Sequence, residues 1–117
     1  MNNSESSTRG KNTCKLERKG ESYFLEDFVI DQNDIKNGME ISWLADDTEF
    51  EIWFPEKRKP FNNNFPVRSN KPPGKGDNRI QLPLRNRLKK GTYYYAVYCE
   101  KNKTMAAGNS FPKMIIT

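Results

Sequence analysis

Two thiols, three clusters of carboxylates and a dense run of cations are the groups in this 117-residue chain that could do chemistry, and there is no histidine at all. Without imidazole, nucleophilic catalysis of the Ser-His or Cys-His kind has no general base. Cys14 and Cys99 lie far apart in sequence and match neither a CxxC nor a metal-ligand spacing. A disulfide between them is one reading. With no export signal, free and partly buried thiols are the simpler expectation. The carboxylates Glu26-Asp27, Asp46-Asp47 and Glu49/Glu51 could in principle exchange protons with a substrate. On so polar a chain, acids of this kind more often solvate a surface. Pro72-Pro-Gly74-Lys-Gly76 looks like a phosphate loop only at first glance, because it lacks the Lys-hydroxyl ending and the helix that must follow. These residues point away from an enzyme, and no metal or cofactor is expected.

The cations are the stronger pattern. Residues 1–56 carry a net charge of −7, residues 57–90 a net of +10, and residues 91–117 a net of +2. Lys57, Arg58, Lys59, Arg68, Lys71, Lys75, Arg79, Arg85, Arg87, Lys89 and Lys90 face only Asp77 within that middle block. With Phe61 and Phe65 interleaved as stacking rings, they form the candidate binding set for an acidic partner.

The elements that position these groups follow from punctuation and period. A mean hydropathy of −0.97 is low for a globular chain, but fourteen aromatics argue for a compact core with polar appendages. No apolar run approaches the roughly 18 residues of a membrane span, and no signal segment opens the chain. A cytoplasmic location is expected, an inference that reverses for an exported chain trimmed of its leader. Residues 1–14 read as a disordered polar leader, and residues 15–117 as one domain, long enough to close a core without staples. Residues 21–30 suggest a strand with a bend, and Asn37-Gly38 a turn favouring positive φ. Met39, Ile41 and Trp43 alternate inward along one strand, and Phe50, Ile52 and Phe54 along the next. Residues 55–78 hold five prolines with Gly74 and Gly76 and read as a long loop. Arg79–Leu84 resumes alternation as an edge strand marked by Pro83. The tyrosine strand then follows Gly91, and Met114–Ile116 closes the sheet. No segment has a helical period. The expected fold is all-β, an antiparallel Greek-key β-sandwich.

Two segments add a family likeness. Ile35-Lys-Asn-Gly38-Met-Glu-Ile41-Ser-Trp43, followed by Phe50-Glu-Ile52-Trp-Phe54, resembles the opening of the cupredoxin fold of blue-copper proteins. Gly91-Thr-Tyr93-Tyr-Tyr95 resembles the strand of that family that runs into the copper cysteine. The resemblance covers roughly residues 21–117 and implies a cupredoxin-like sandwich. An immunoglobulin-like sandwich is the alternative, since a tyrosine entering a late strand after a glycine turn also suits its tyrosine corner. The copper site does not carry over. Blue copper needs two imidazoles, a thiolate and a weak axial thioether. In the corresponding places stand Phe50 and Val97; Cys99 comes two residues late, and Met105 is present without a histidine.

Three readings of function remain. The chain is a non-catalytic interaction module working through protein partners or its own copies, or it binds a polyanion such as nucleic acid through residues 57–90, or the basic block is a solubilising loop that offsets an acidic body. Protein contact is the first of these expectations.

Overall fold

The computed structural model describes residues 11–35, 38–71, 74, 76–106 and 111–117. Residues 1–10, most of the segment expected to be a leader, lie outside the described residues, as do Asn37 and Lys75. Among the described residues the fold is all-β, and the only helical piece is one 3-10 turn at Gln32–Asp34, which the Asp31 carboxylate caps by accepting from the Asn33 amide.

The described residues form eleven strands in three sheets, two of them joined by the tyrosine strand, which makes two layers. In the first, β2 (Ser22–Phe24), β1 (Thr13–Lys19), β4 (Glu40–Ala45) and β7 (Asn78–Pro83) lie side by side. The second layer holds β10 (Thr104–Met105), β9 (Ala96–Cys99), β5 (Phe50–Trp53) and β6 (Val67–Arg68), next to β3 (Phe28–Ile30), β11 (Lys113–Ile116) and β8 (Gly91–Tyr94). Only Tyr95 separates β8 from β9, and its amide donates to the Pro112 carbonyl, so the tyrosine strand runs through both groups as one element. Period-two alternation sorts its residues cleanly: Tyr93, Tyr95, Val97 and Cys99 are buried, while Tyr94 and Tyr98 turn the other way.

The layers meet over an aromatic core. Trp43 on β4 is fully buried and meets Phe28, Phe61 and Tyr95 edge-on, with ring centroids 5.5, 5.9 and 5.8 Å away. Its indole N–H donates to the Tyr95 hydroxyl at 3.2 Å, which supplies the polar partner a buried tryptophan needs. Phe54 stacks on Tyr95 at 4.7 Å. Met39, Ile41 and Trp43 point inward as expected, though Met39 is only partly buried, and so do Phe50, Ile52 and Phe54.

Four expectations need correction. The sheets are mixed rather than purely antiparallel, because β1 runs parallel to β4 and β3 runs parallel to β11. Both parallel pairs arise where the bent segment 22–30 leaves β1 and crosses to the other layer. The domain starts before residue 15, since Thr13 and Cys14 already pair with Ser42 and Trp43. Met114–Ile116 does not close an edge; β11 sits between β3 and β8. The stretch 55–78 is stitched to the sheets, through β6, through bridges from Phe61 to Leu84 and from Asn70 to Arg79, and through its last residue, which opens β7. Pro83 does lie on an edge strand, as β4 is the one strand beside β7 among the described residues.

Candidate binding surfaces

The sequence-level candidates separate into three environments. Phe61 has no exposed surface, and Phe65 packs against Phe54 and Phe61 at 5.2 and 6.2 Å. Phe61, expected as a stacking ring, has its faces taken by the core, and Phe65 is partly buried against it. Prolines flanking them forced a loop reading, but a loop can send its aromatics inward when the sheet edge leaves a gap to fill.

At one end of the layers, Arg68 and Arg79 are neutralised. Arg68 reaches Glu51 at 3.0 Å and Glu100 at 3.3 Å, and Arg79 reaches Asp77 at 3.7 Å. Lys71 shares a hollow at that end with Asp46, Asp47, Glu49 and Lys101. Four of the six carboxylates weighed for proton exchange, Asp27, Asp46, Asp47 and Glu51, are engaged as well. Asp46 pairs with Lys15 at 2.9 Å and Asp27 with Lys113 at 2.9 Å. Asp47 accepts from the Tyr23 hydroxyl at 2.9 Å and faces Arg18 and Lys101. Burial, then this hydrogen bond, pushes the Tyr23 hydroxyl up to about 12. These acids serve as partners in a charge network.

The opposite end collects the rest. The Arg85 amide donates to the Pro60 carbonyl, and its guanidinium reaches the Lys59 carbonyl at 3.3 Å, which brings residues 57–60 and 85–90 together. Lys59 is tied down by Glu56 at 3.1 Å and by the Asn63 carbonyl. Lys57, Arg87, Lys89 and Lys90 are exposed, with no side-chain partner among the described residues. Lys75 lies outside the described residues.

Sequence reasoning passed over a fourth surface, on the outer face of the second layer. Register places Met105, Tyr98, Glu51 and Arg68 in one row across β10, β9, β5 and β6, with Trp53 and Ala96 as cross-strand partners in the next. Tyr94 follows along the same face. Trp53, Tyr94 and Met105 are 46%, 54% and 48% exposed. Trp53, Tyr98, Ala96, Met105 and Glu51 line a shallow depression of about 500 Å³. The signal was present in the alternation: if Phe50, Ile52 and Phe54 point inward, Trp53 must point outward.

The residues do not fit a copper centre. Phe50 and Cys99 face each other across β5 and β9, both buried. Met105 pairs with Tyr98, so its thioether lies on the opposite face of the sheet from the Cys99 thiol. Burial pushes the Cys99 thiol up to about 11 and the Cys14 thiol to about 12, and both are free. Such thiols are protonated and poor ligands or nucleophiles at neutral pH. Among the described residues no three His, Cys, Asp or Glu side chains converge as a metal site, and no helix is long and apolar enough to cross a membrane. No protein-family model, curated protein or solved structure matches the chain.

Proposed function

We propose that this chain is a non-catalytic interaction module, built on a copper-less cupredoxin-like Greek-key sandwich, that works by protein–protein contact through the outer face of its second layer. The observation that carries the reading is the clustering of Trp53, Tyr94, Tyr98 and Met105 on one exposed sheet face. Tryptophan, tyrosine, methionine and arginine are the types enriched at the centres of protein interfaces. Exposed apolar clusters of this kind cost solubility and are kept where something covers them. Arg68, already held by Glu51 and Glu100, supplies a polar rim whose charges are balanced. The enclosed thiols and engaged carboxylates support the non-catalytic half of the reading.

The test is a photo-crosslinking residue, p-benzoylphenylalanine, placed at Trp53 or at Gln81 on the outer face of the other layer, in a native extract and in the purified protein. A discrete protein adduct, to a partner or to a second copy, is expected from position 53 and not from position 81. No adduct, or equal adducts from both positions, would overturn the proposal.

A further inference from the structure

The cationic end has a built feature that the rest of the basic block lacks. Arg58 lies over the Tyr93 ring, its guanidinium carbon 4.6 Å from the ring centroid, and its Nε donates to the Thr92 carbonyl at 3.1 Å. The approach depends on Gly91: a Cβ there would stand 2.8 Å from Arg58 Nη2, and the backbone at that position has φ +142. Tyr93 in turn is fixed by its hydroxyl, which donates to the Lys89 carbonyl at 2.7 Å. Arg58 therefore has one donor and one face committed and makes no ion pair among the described residues, so the outer edge of its fork is preset for an oxyanion. Lys57 precedes Arg58 in the chain and Arg87, Lys89 and Lys90 come just before Gly91; all four are exposed and make no side-chain hydrogen bond or ion pair among the described residues. The acids brought to this end are Glu56, which Lys59 occupies, Glu40 at the start of β4, which accepts from Gln81, and Asp31 and Asp34, carried by the turn whose Gln32 donates to the Leu88 carbonyl.

We infer that this end is a docking site for the phosphate backbone of nucleic acid, separate from the outer sheet face, with Arg58 as its fixed clamp and no reading of bases. Two observations select that partner. Five cations, Lys57, Arg58, Arg87, Lys89 and Lys90, make no ion pair among the described residues and so keep their charge for phosphates. The rings interleaved with these cations are occupied: Phe61 is buried, Phe65 is partly buried against Phe54 and Phe61, and Tyr93 is buried beneath Arg58, so none of the three offers a free face to a base. The same lack of an apolar anchor argues against a lipid surface, where charge and buried apolar area act together. A duplex, with the higher charge density, binds more tightly than a single strand.

The experiment titrates the full chain into fluorescein-labelled 20-base-pair duplexes of two unrelated sequences, a dT20 strand, and vesicles containing phosphatidylserine, from 50 to 300 mM salt. With about five outward cations, log affinity for duplex falls against log salt with a slope of roughly −4.5, equal for both sequences. Lys89→Ser with Lys90→Ser makes the slope shallower by about 2 units. Arg58→Lys, which keeps the charge and loses the fork, weakens binding about tenfold, as expected for one charge-assisted hydrogen bond. Lys71→Ser, at the other end, leaves the slope unchanged. The inference is overturned by no duplex binding at 50 mM salt, by a sequence preference, by vesicle binding in place of duplex binding, or by a slope that follows Lys71 rather than Lys89 and Lys90.

Discussion

Trp53 ends β5 and Phe54 follows it directly, yet Phe54 faces the core and Trp53 faces solvent. Phe54 joins Tyr95, Phe61 and Phe65 in the ring cluster that seals the gap between layers. Trp53 joins Tyr94, Tyr98 and Met105 on the outer face. Both sets are mostly aromatic. What separates them is parity along a strand and, for Phe61 and Phe65, a loop that folds back over the edge. Aromatic content alone therefore does not separate core from surface in this chain; the side of the sheet does.

That contrast can be broken most sharply from the inside. Phe61→Ala should cost about 3–5 kcal/mol of unfolding free energy, because the ring is fully buried against Trp43, Phe54 and Phe65. Urea denaturation would measure it, and a loss under 1 kcal/mol would mean that the loop is not part of the core. Against a typical domain stability of about 5–15 kcal/mol, such a variant folds marginally.

The next largest effect is alkaline. Below pH 9 both thiols are protonated whether the chain is folded or not; above it only the unfolded chain ionises, until the folded values of about 12 for Cys14 and 11 for Cys99 are reached. Stability should therefore fall as pH rises between those limits, by about 1.4 kcal/mol per pH unit for each thiol. Denaturation curves from pH 8 to 10.5 should show a shallower decline in the Cys14→Ala, Cys99→Ala double variant than in the parent.

On the outer face the expected stability effects are small. Trp53→Ser should change unfolding free energy by no more than about 0.5 kcal/mol while removing most of the iodide-quenchable tryptophan emission, since Trp43 is fully buried. A large stability loss would place Trp53 with the core set. The smallest effect belongs to Asp47. Burial alone would raise its carboxyl, but the Tyr23 hydroxyl, Lys101 and Arg18 outweigh it and hold it below 3.8. Its contribution is present above about pH 4 and is lost as pH falls through the depressed value. Asp47→Asn should flatten the stability difference between pH 3 and pH 6 slightly, with thermal melts as the readout.

Much of the fold was legible. Alternation at 39–43, at 50–54 and along the tyrosine strand named the buried faces, because a pleated strand leaves each residue only two directions. Pro83 marked an edge because it cannot donate to a second neighbour. Strand partners were less legible. The parallel pairings of β1 with β4 and β3 with β11 join segments far apart in sequence, and no local pattern encodes them. The candidate site was legible as composition and illegible as geometry. Eleven cations looked equivalent in the sequence, yet Arg68 and Arg79 meet carboxylates while Lys57, Arg87, Lys89 and Lys90 do not.

The sequence by itself determined the alphabet of this protein: β-strands with one inward face, no imidazole to catalyse or to hold copper, and an excess of positive charge in its middle third. Those are local or compositional properties, and local sterics and counting suffice to read them. Only the tertiary structure decided which cations remain unneutralised, that Phe61 and Phe65 are walls rather than platforms, and that Arg58 lies on Tyr93 beside a glycine. Pairing, burial and stacking are contacts between segments brought together by folding, and their energies depend on distances that no single segment contains.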